Sequence, residues 1–321
     1  MSDLNPETRL IRLGVLNRRN RRTPEEPILI AYADTTRGFS LNGTEVWSKS
    51  FNFDGDGNGD AFEGNVYFGA WTALEAFTAF NARNLWSKPD VPFASDRRIS
   101  AGSDFVLSCD AFGPTLYLFS TEDGSLVTQE DKPNDDFFDF DVLIAEGRYY
   151  YATNENVFEV DSNLNTINSA SIPSNDFAIF ITHHEDTIYV CSGTKVSSLT
   201  TGLSVNWTTD YRNEVSTPVS VVNCLTANGN GVYVGTSIIN DDDGNQKSTV
   251  TELSTDGDFV NSEVTDPDRN GGVEAIAASD SRVFYVQSEF GANPDETSLR
   301  EYEGGTIKDG VVANSLSFLP G

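Results

Sequence analysis

Between Asp54 and Asp60 the chain reads Asp-Gly-Asp-Gly-Asn-Gly-Asp, with Glu63 close behind. Oxygen-bearing side chains at alternate positions among glycines are what a hard dication needs, because one tight turn brings several oxygens onto one point. Asp54, Asp56, Asn58 and Asp60 are therefore candidate ligands of one Ca²⁺. The twelfth position is Asn65 and not Glu, which excludes an EF-hand. The competing reading is a solvated acidic turn.

Other groups able to do chemistry are sparse. The two histidines stand together in His183-His184-Glu185-Asp186. Neighbours on a strand point to opposite faces, so both imidazoles could share one metal only from a turn, and the tetrapeptide reads as a plain hairpin. Cys109, Cys191 and Cys224 are odd in number and far apart, and two of them end apolar strand segments, which points to buried free thiols. No nucleophile elbow, phosphate-binding glycine loop or histidine cluster is present, so the reading is a protein that binds and does not catalyse. A glycosidase-like pair of carboxylates, drawn from 49 acids, is the one catalytic arrangement left open. Asn42-Gly43-Thr44 and Asn206-Trp207-Thr208 are glycosylation sequons, informative only for an exported protein.

Charge is divided unevenly along the chain. Six of the 15 arginines, Arg9, Arg12, Arg18, Arg19, Arg21 and Arg22, lie in the first 22 residues, whereas the whole chain carries a net charge of -28. A basic segment on an acidic body reads as an arm, residues 1–22, that docks on an acidic protein surface. That surface is either the chain's own blades or a neighbour in an assembly. The body repels phosphate backbones, so nucleic acid is not expected as a partner. Six Lys against 29 Asp is a surface suited to concentrated salt, where the screening length falls to about 3 Å at about 1 M. Acid-rich, lysine-poor surfaces of this kind resemble those of haloarchaeal proteins. The longest apolar run near the start, Ile28 to Tyr32, is too short for a signal core or a membrane span, so membrane insertion is not expected.

A repeat must position these groups. An apolar strand, a linker, a second strand, a Gly or Asn turn and a third strand recur seven times, with turns at Gly43, Asn84, Gly124, Asn165, Gly202, Gly257 and Gly305. Steps of 41, 40, 41, 37, 55 and 48 residues in all-β units predict the blades of a propeller. The expected fold is all-β, a seven-bladed β-propeller of four-stranded antiparallel blades over residues 23–321. With strands named A to D from the central channel outward, strand B is clearest, in runs such as ILIAYAD (28–34) and TIYVCSG (187–193). Strand A is readable in FDFDVLIA, FAIFIT, PVSVVNCL and GVEAIAA but poor in blades 1 and 2. Closing the ring needs one chain end to complete the other's sheet, and both Arg9 to Leu16 and Val311 to Leu319 qualify. The two long steps place extended B-to-C connections at Ile238 to Lys247 and Glu289 to Glu296. There Asp241, Asp242 and Asp243 could meet a partner or hold a cation weakly.

Trp47, Trp86 and Trp207 follow their turns within five residues. The pattern of strand, strand, turn glycine and strand with Trp resembles the quinoprotein-like (PQQ-like) propeller repeat. RYYYATNENVFEVDSNLN is similar to the YVTN-type repeat of archaeal surface propellers. The resemblance covers residues 28 to about 312 and implies architecture only. Blades 3, 4, 6 and 7 lack the outer Trp, and no position matches the cofactor-contacting residues of quinoprotein dehydrogenases, so Ca²⁺ and not PQQ is the cofactor to expect. Basic arm and acidic disc together read as a non-enzymatic subunit of a larger assembly, such as the capsid surface or tail of a haloarchaeal tailed virus. Its expected partners are other protein subunits, with a host surface protein or glycan as a further one. Its expected location is the virion, or else the surface or cytoplasm of a halophile. The alternatives are a cell-surface or secreted adhesion propeller and a carbohydrate-active propeller enzyme.

Overall fold

The computed structural model describes residues 26–51, 57–70, 73–89, 91, 97–110, 115–132, 140–174, 179–213, 221–239, 246–264, 271–289 and 297–320. The strands form seven four-stranded antiparallel sheets, and the inner strands neighbour one another in order around a closed ring. The chain is therefore a seven-bladed β-propeller, as the repeat predicts.

Strand B of each blade is the apolar run visible in the sequence, for example Ile28–Tyr32 in blade 1, Arg148–Ala152 in blade 4 and Thr187–Ser192 in blade 5. It is central in its sheet and packs against other blades on both faces, so its apolar run is continuous and not alternating. The core is accordingly seven apolar clusters, one at each junction between blades. At one of them Leu143, Tyr150 and Val157 of blade 4 meet Ile179, Ile188 and Val190 of blade 5.

Two inner strands escape hydrophobic patterning. Strand A of blade 2 is Asn58–Phe62 and that of blade 3 is Arg97–Ala101. Each faces the channel along one side, where Asp60 and Ser100 meet the backbone of the next blade, so no apolar run is needed. Strand A of blade 1 comes from the C-terminal segment: Ser315–Leu319 pairs antiparallel with Ile28–Tyr32, from Ile28 opposite Leu319 to Tyr32 opposite Ser315. Its Leu316 joins the cluster shared with blade 7 and its Leu319 the cluster shared with blade 2. The alternative closing segment, Arg9 to Leu16, lies outside the described residues.

Every outer strand carries a β-bulge at the same place, at Val46, Leu85, Val127, Ile167, Asn206, Val260 and Ile307. Bulges on an edge strand discourage pairing with a foreign sheet. In blades 1, 2 and 5 the residue after the bulge is Trp47, Trp86 and Trp207, so the three tryptophans occupy equivalent positions. Each indole N–H donates to a carbonyl in the C-to-D turn of the next blade, Ala79 at 2.5 Å, Thr121 at 2.9 Å and Thr255 at 2.9 Å. Asn168, at the matching position of blade 4, donates to Gly202 O at 3.0 Å.

Turn register departs from the sequence reading in three blades. Asn84 begins a strand, and the positive φ falls on Ala82 (51°). In blades 4 and 5 it falls on Leu164 (64°) and Leu203 (61°), beside Asn165 and Gly202. Both leucines are buried in core clusters, so packing offsets strain that glycine would have avoided. The expected connection Ile238 to Lys247 also shrinks, to residues 240–245. Ile238 pairs with Lys247 and Ile239 with Gln246, so the longer step mostly lengthens a hairpin.

Candidate functional site: the central channel and the acidic turn face

The inner strands enclose a channel of about 620 Å³ lined by all seven blades. An inner strand has no neighbour further in, so its channel-side N–H groups need other acceptors. Side chains of the preceding blade supply them. Ser315 Oγ accepts from Gly59 N at 3.2 Å, and Asp60 accepts from Ala101 N at 2.9 Å as well as from Ala61 N at 2.8 Å. Ser100 Oγ accepts from Ile144 N at 2.9 Å, and Asp141 accepts from Ile181 N at 2.9 Å. These contacts stitch blades 1 to 5 together around the channel. Burial raises the Asp60 carboxyl above the usual carboxylate range, while hydrogen bonds from Ala101, Ala61 and Ser317 favour its ionised form.

The two mouths of the channel differ. Near the start of its inner strand, Arg98 reaches from blade 3 to lay its guanidinium over the Phe180 ring of blade 5, 4.6 Å from the centroid. The other mouth holds Asp104, Glu146, Tyr149 and His183. Burial holds the His183 imidazole below its usual pKa, with His184 reinforcing the shift and Glu146 opposing it. The histidines end the strand Ile179–His184 before a Glu185-Asp186 turn, and only His183 lines the channel, which is the plain hairpin expected. Cys109, Cys191 and Cys224 are buried thiols outside any disulfide, also as expected.

In an antiparallel four-stranded blade the A-to-B and C-to-D turns share one side of the disc. Blades 3 to 6 place nine acids in those turns: Asp104, Glu122 and Asp123, then Glu146 and Asp161, then Glu185 and Asp186, then Asp256 and Asp258. The one lysine or arginine that adjoins these turns, Arg148, flanks the blade 4 turn as Arg282 flanks that of blade 7, and it is held by Glu159 at 2.6 Å. The same face over blades 7, 1 and 2 carries Asp280, Glu303, Glu26 and Glu63 together with Arg282 and Arg83. Arg282 is held by Glu301 at 2.5 and 2.7 Å and donates to Leu41 O of blade 1 at 3.4 Å. Hydrogen bonds from Ser125 hold Asp123 below the usual carboxylate range, and those from Asn165 do the same for Asp161. The face is thus more densely acidic over blades 3 to 6 than over blades 7, 1 and 2.

Of the four candidate calcium ligands, Asn58 and Asp60 sit on the inner strand of blade 2 and not in a loop. The Asp60 oxygens already accept backbone N–H groups, whereas Asn58 Oδ1 is buried with no hydrogen-bond partner among the described residues. Asp54 and Asp56 lie outside the described residues, as do Arg9, Arg12, Arg18, Arg19, Arg21, Arg22, Asp241, Asp242 and Asp243. Among the described residues no group of three or more His, Cys, Asp and Glu side chains is placed to hold a metal ion, and no helix is long and apolar enough to cross a membrane. Sequence reasoning missed Arg98, the channel role of Asp60 and Asp141, and the acidic sector. The signal for the sector was present in the turns Thr-Glu-Asp-Gly, Glu-Gly, Glu-Asp and Thr-Asp-Gly-Asp, which the phase of the repeat sets on one side.

No protein-family model matches the sequence, and no curated protein is significantly similar to it. Solved structures do resemble it. BamB from Moraxella catarrhalis aligns with a TM-score of 0.51 at 12% identity, covering 80% of this chain and 77% of its own. A protein of unknown function from Bacteroides caccae gives 0.50 at 16% identity over 75% of this chain and 94% of its own. KlHsv2 with loop 6CD replaced by a Gly-Ser linker gives 0.52 at 11% identity, covering 76% of each chain. At such identities the likeness extends to the fold alone.

Proposed function

We propose that this protein is a non-enzymatic binding propeller, a subunit that docks on other proteins in a larger assembly. The observation that carries this reading is the division of charge. Nine turn acids cover blades 3 to 6, where the one adjoining arginine, Arg148, is already held by Glu159, while six arginines stand within the first 22 residues. Opposed charges on separate parts of one chain favour association, because a cationic arm between acidic surfaces lowers the repulsion that otherwise keeps them apart. The more specific reading is a particle component of a salt-loving system, such as a haloarchaeal tailed virus. Its support is the net charge of -28 with only six lysines, a surface that self-repels in dilute buffer.

Two measurements test these readings. A chain lacking residues 1–22 keeps the circular dichroism of a folded propeller in concentrated salt yet fails to enter the particle or oligomer; normal incorporation refutes the docking role. Melting temperature climbs steeply with KCl, and a flat profile between about 0.1 and 3 M removes the salt-loving reading. A bound Ca²⁺ also belongs to the proposal, since it would give the buried Asn58 Oδ1 a partner beside Asp54 and Asp56.

A further inference from the structure

We infer that the Arg98 mouth of the central channel is a binding site for a small organic anion carrying a single carboxylate. The site is separate from the protein docking proposed above, and three observations lead to it.

The first is an arginine with no acceptor. Among the described arginines, Arg37, Arg98, Arg148, Arg282 and Arg300 are half-buried. Arg37 donates to Gly310 O at 3.2 Å, Arg148 to Glu159 at 2.6 Å, Arg282 to Glu301 at 2.5 Å and Arg300 to Gln287 Oε1 at 2.6 Å. Arg98 donates to no protein oxygen among the described residues, although the chain holds 49 acids against 21 bases. Its place is set by the Phe180 ring, whose centroid lies 4.6 Å from the guanidinium carbon. A cation–π contact holds the charge over the ring and leaves the N–H fork unused, at a side chain that lines the channel.

The second is a change of backbone at the same mouth. Arg98 and Phe180 are each the second residue of their inner strands, Arg97–Ala101 and Ile179–His184. In blade 6 the inner strand Val221–Ala227 is bulged: Val222 lies opposite Thr236 and Cys224 opposite Gly235, so Asn223 is an extra residue, and it lines the channel. Blade 7 has the same bulge at Glu274, between Val273 opposite Gln287 and Ala275 opposite Val286. The inner strands of blades 1 to 5 pair without a bulge. An extra residue adds nothing to the pairing, and bulges of this kind re-aim side chains beside a site. Burial pushes the Cys224 thiol up, Glu274 adds to the shift and Arg98 opposes it, so blades 3, 5, 6 and 7 converge on this mouth. Glu274 itself accepts from Ser288 Oγ at 2.5 Å.

The third is size and charge. A channel of about 620 Å³ is within the range of small-molecule pockets, about 300–1,000 Å³. Asp60, Asp104, Asp141 and Glu146 also line it, so an ion with two or more negative charges meets more repulsion than one guanidinium offsets. One carboxylate matches one fork through two parallel N–H···O bonds. The uncharged remainder of the ligand then rests against Phe180 and Ile99.

Fluorine NMR of para-fluorobenzoate, with the full chain in constant KCl, tests the site. The native chain broadens the signal saturably, unlabelled benzoate reverses the broadening, and neutral para-fluorobenzamide, of the same shape, stays sharp. Arg98→Gln weakens binding about tenfold or more. Arg98→Lys keeps the charge but loses the fork and falls between the two, and Phe180→Leu also weakens binding. Arg37→Gln, outside the channel, binds as the native chain does. Melting temperature shows that each variant is folded, and benzoate raises it in the native chain but not in Arg98→Gln. Should Arg98→Gln fail to fold, Arg98→Lys and the benzamide comparison carry the test. A native chain that leaves para-fluorobenzoate sharp, equal broadening of the benzamide, or native affinity in the folded Arg98 variants overturns the site. Inorganic phosphate that displaces the probe at lower concentration than benzoate overturns the assignment to a single carboxylate.

Discussion

Removing residues 315–321 takes away strand A of blade 1 and with it the closure of the ring. That strand buries Leu316 (9% exposed) and Leu319 (4%) at the junctions with blades 7 and 2. Burying a leucine is worth about 1.5–3 kcal/mol, so the two supply about 3–6 kcal/mol before any backbone pairing is counted. Five residues of Ile28–Tyr32 lose their antiparallel partners, and Asp60 and Gly59 lose the hydroxyls of Ser317 and Ser315. The whole stability of a domain is about 5–15 kcal/mol, so the truncated chain stands at or near the point of unfolding. Urea titration followed by tryptophan fluorescence reads this directly. The truncated chain is expected to unfold at a much lower midpoint or without a cooperative transition, and an excess of a synthetic peptide of residues 313–320 should restore the native curve. Leu319→Ala, at a cost of about 2–5 kcal/mol, falls between the two. A truncated chain with the native midpoint would refute the closing role of the C-terminal strand.

Three other outcomes follow from the geometry. Gly257 and Gly305 both have positive φ (90° and 95°), but a Cβ on Gly257 would lie 2.7 Å from the Trp207 ring whereas one on Gly305 meets nothing within 4 Å. Both Gly→Ala changes destabilise, and Gly257→Ala should cost about 1–3 kcal/mol more, read from denaturation midpoints; equal losses would show that the turn does not seat on the indole. His183 has a lowered pKa in the folded state, so the folded chain binds fewer protons than the unfolded one as pH drops below about 6.5. Its stabilising share is present above that value and is lost on acidification; His183→Asn should flatten the pH dependence of the melting temperature, and an unchanged slope would contradict the burial argument. Calorimetric titration with Ca²⁺ should give a binding heat that is absent in a variant combining Asp54→Ala and Asp56→Ala, and identical heats would remove the calcium site.

Architecture was legible because strand B of a propeller blade is buried on both sides, and runs such as Thr187–Ser192 announce this in composition alone. The period counted the blades correctly even where its turn markers were misplaced, since Leu164 and Leu203 take the strained turn position by virtue of their burial and not of their type. Inner strands such as Asn58–Phe62 were hidden for the opposite reason. A strand that faces a polar channel needs no apolar pattern, and its Asp and Asn looked like a loop.

By itself the sequence determined the number of blades, the place of strand B in each, the equivalence of the three outer tryptophans and the segregation of positive charge into the first 22 residues. These are local properties, set by periodicity and composition within stretches of about 40 residues. Tertiary structure alone decided that the C-terminal segment closes the ring, that Asp60, Ser100 and Asp141 each hold the backbone of the next blade, and that Arg98 crosses to Phe180. It also gathered acids that stand as far apart in the chain as Asp104 and Asp258 into one sector of one face. Each of these joins residues from different blades, and such contacts come into being only when the ring closes, so no pattern within a single repeat encodes them.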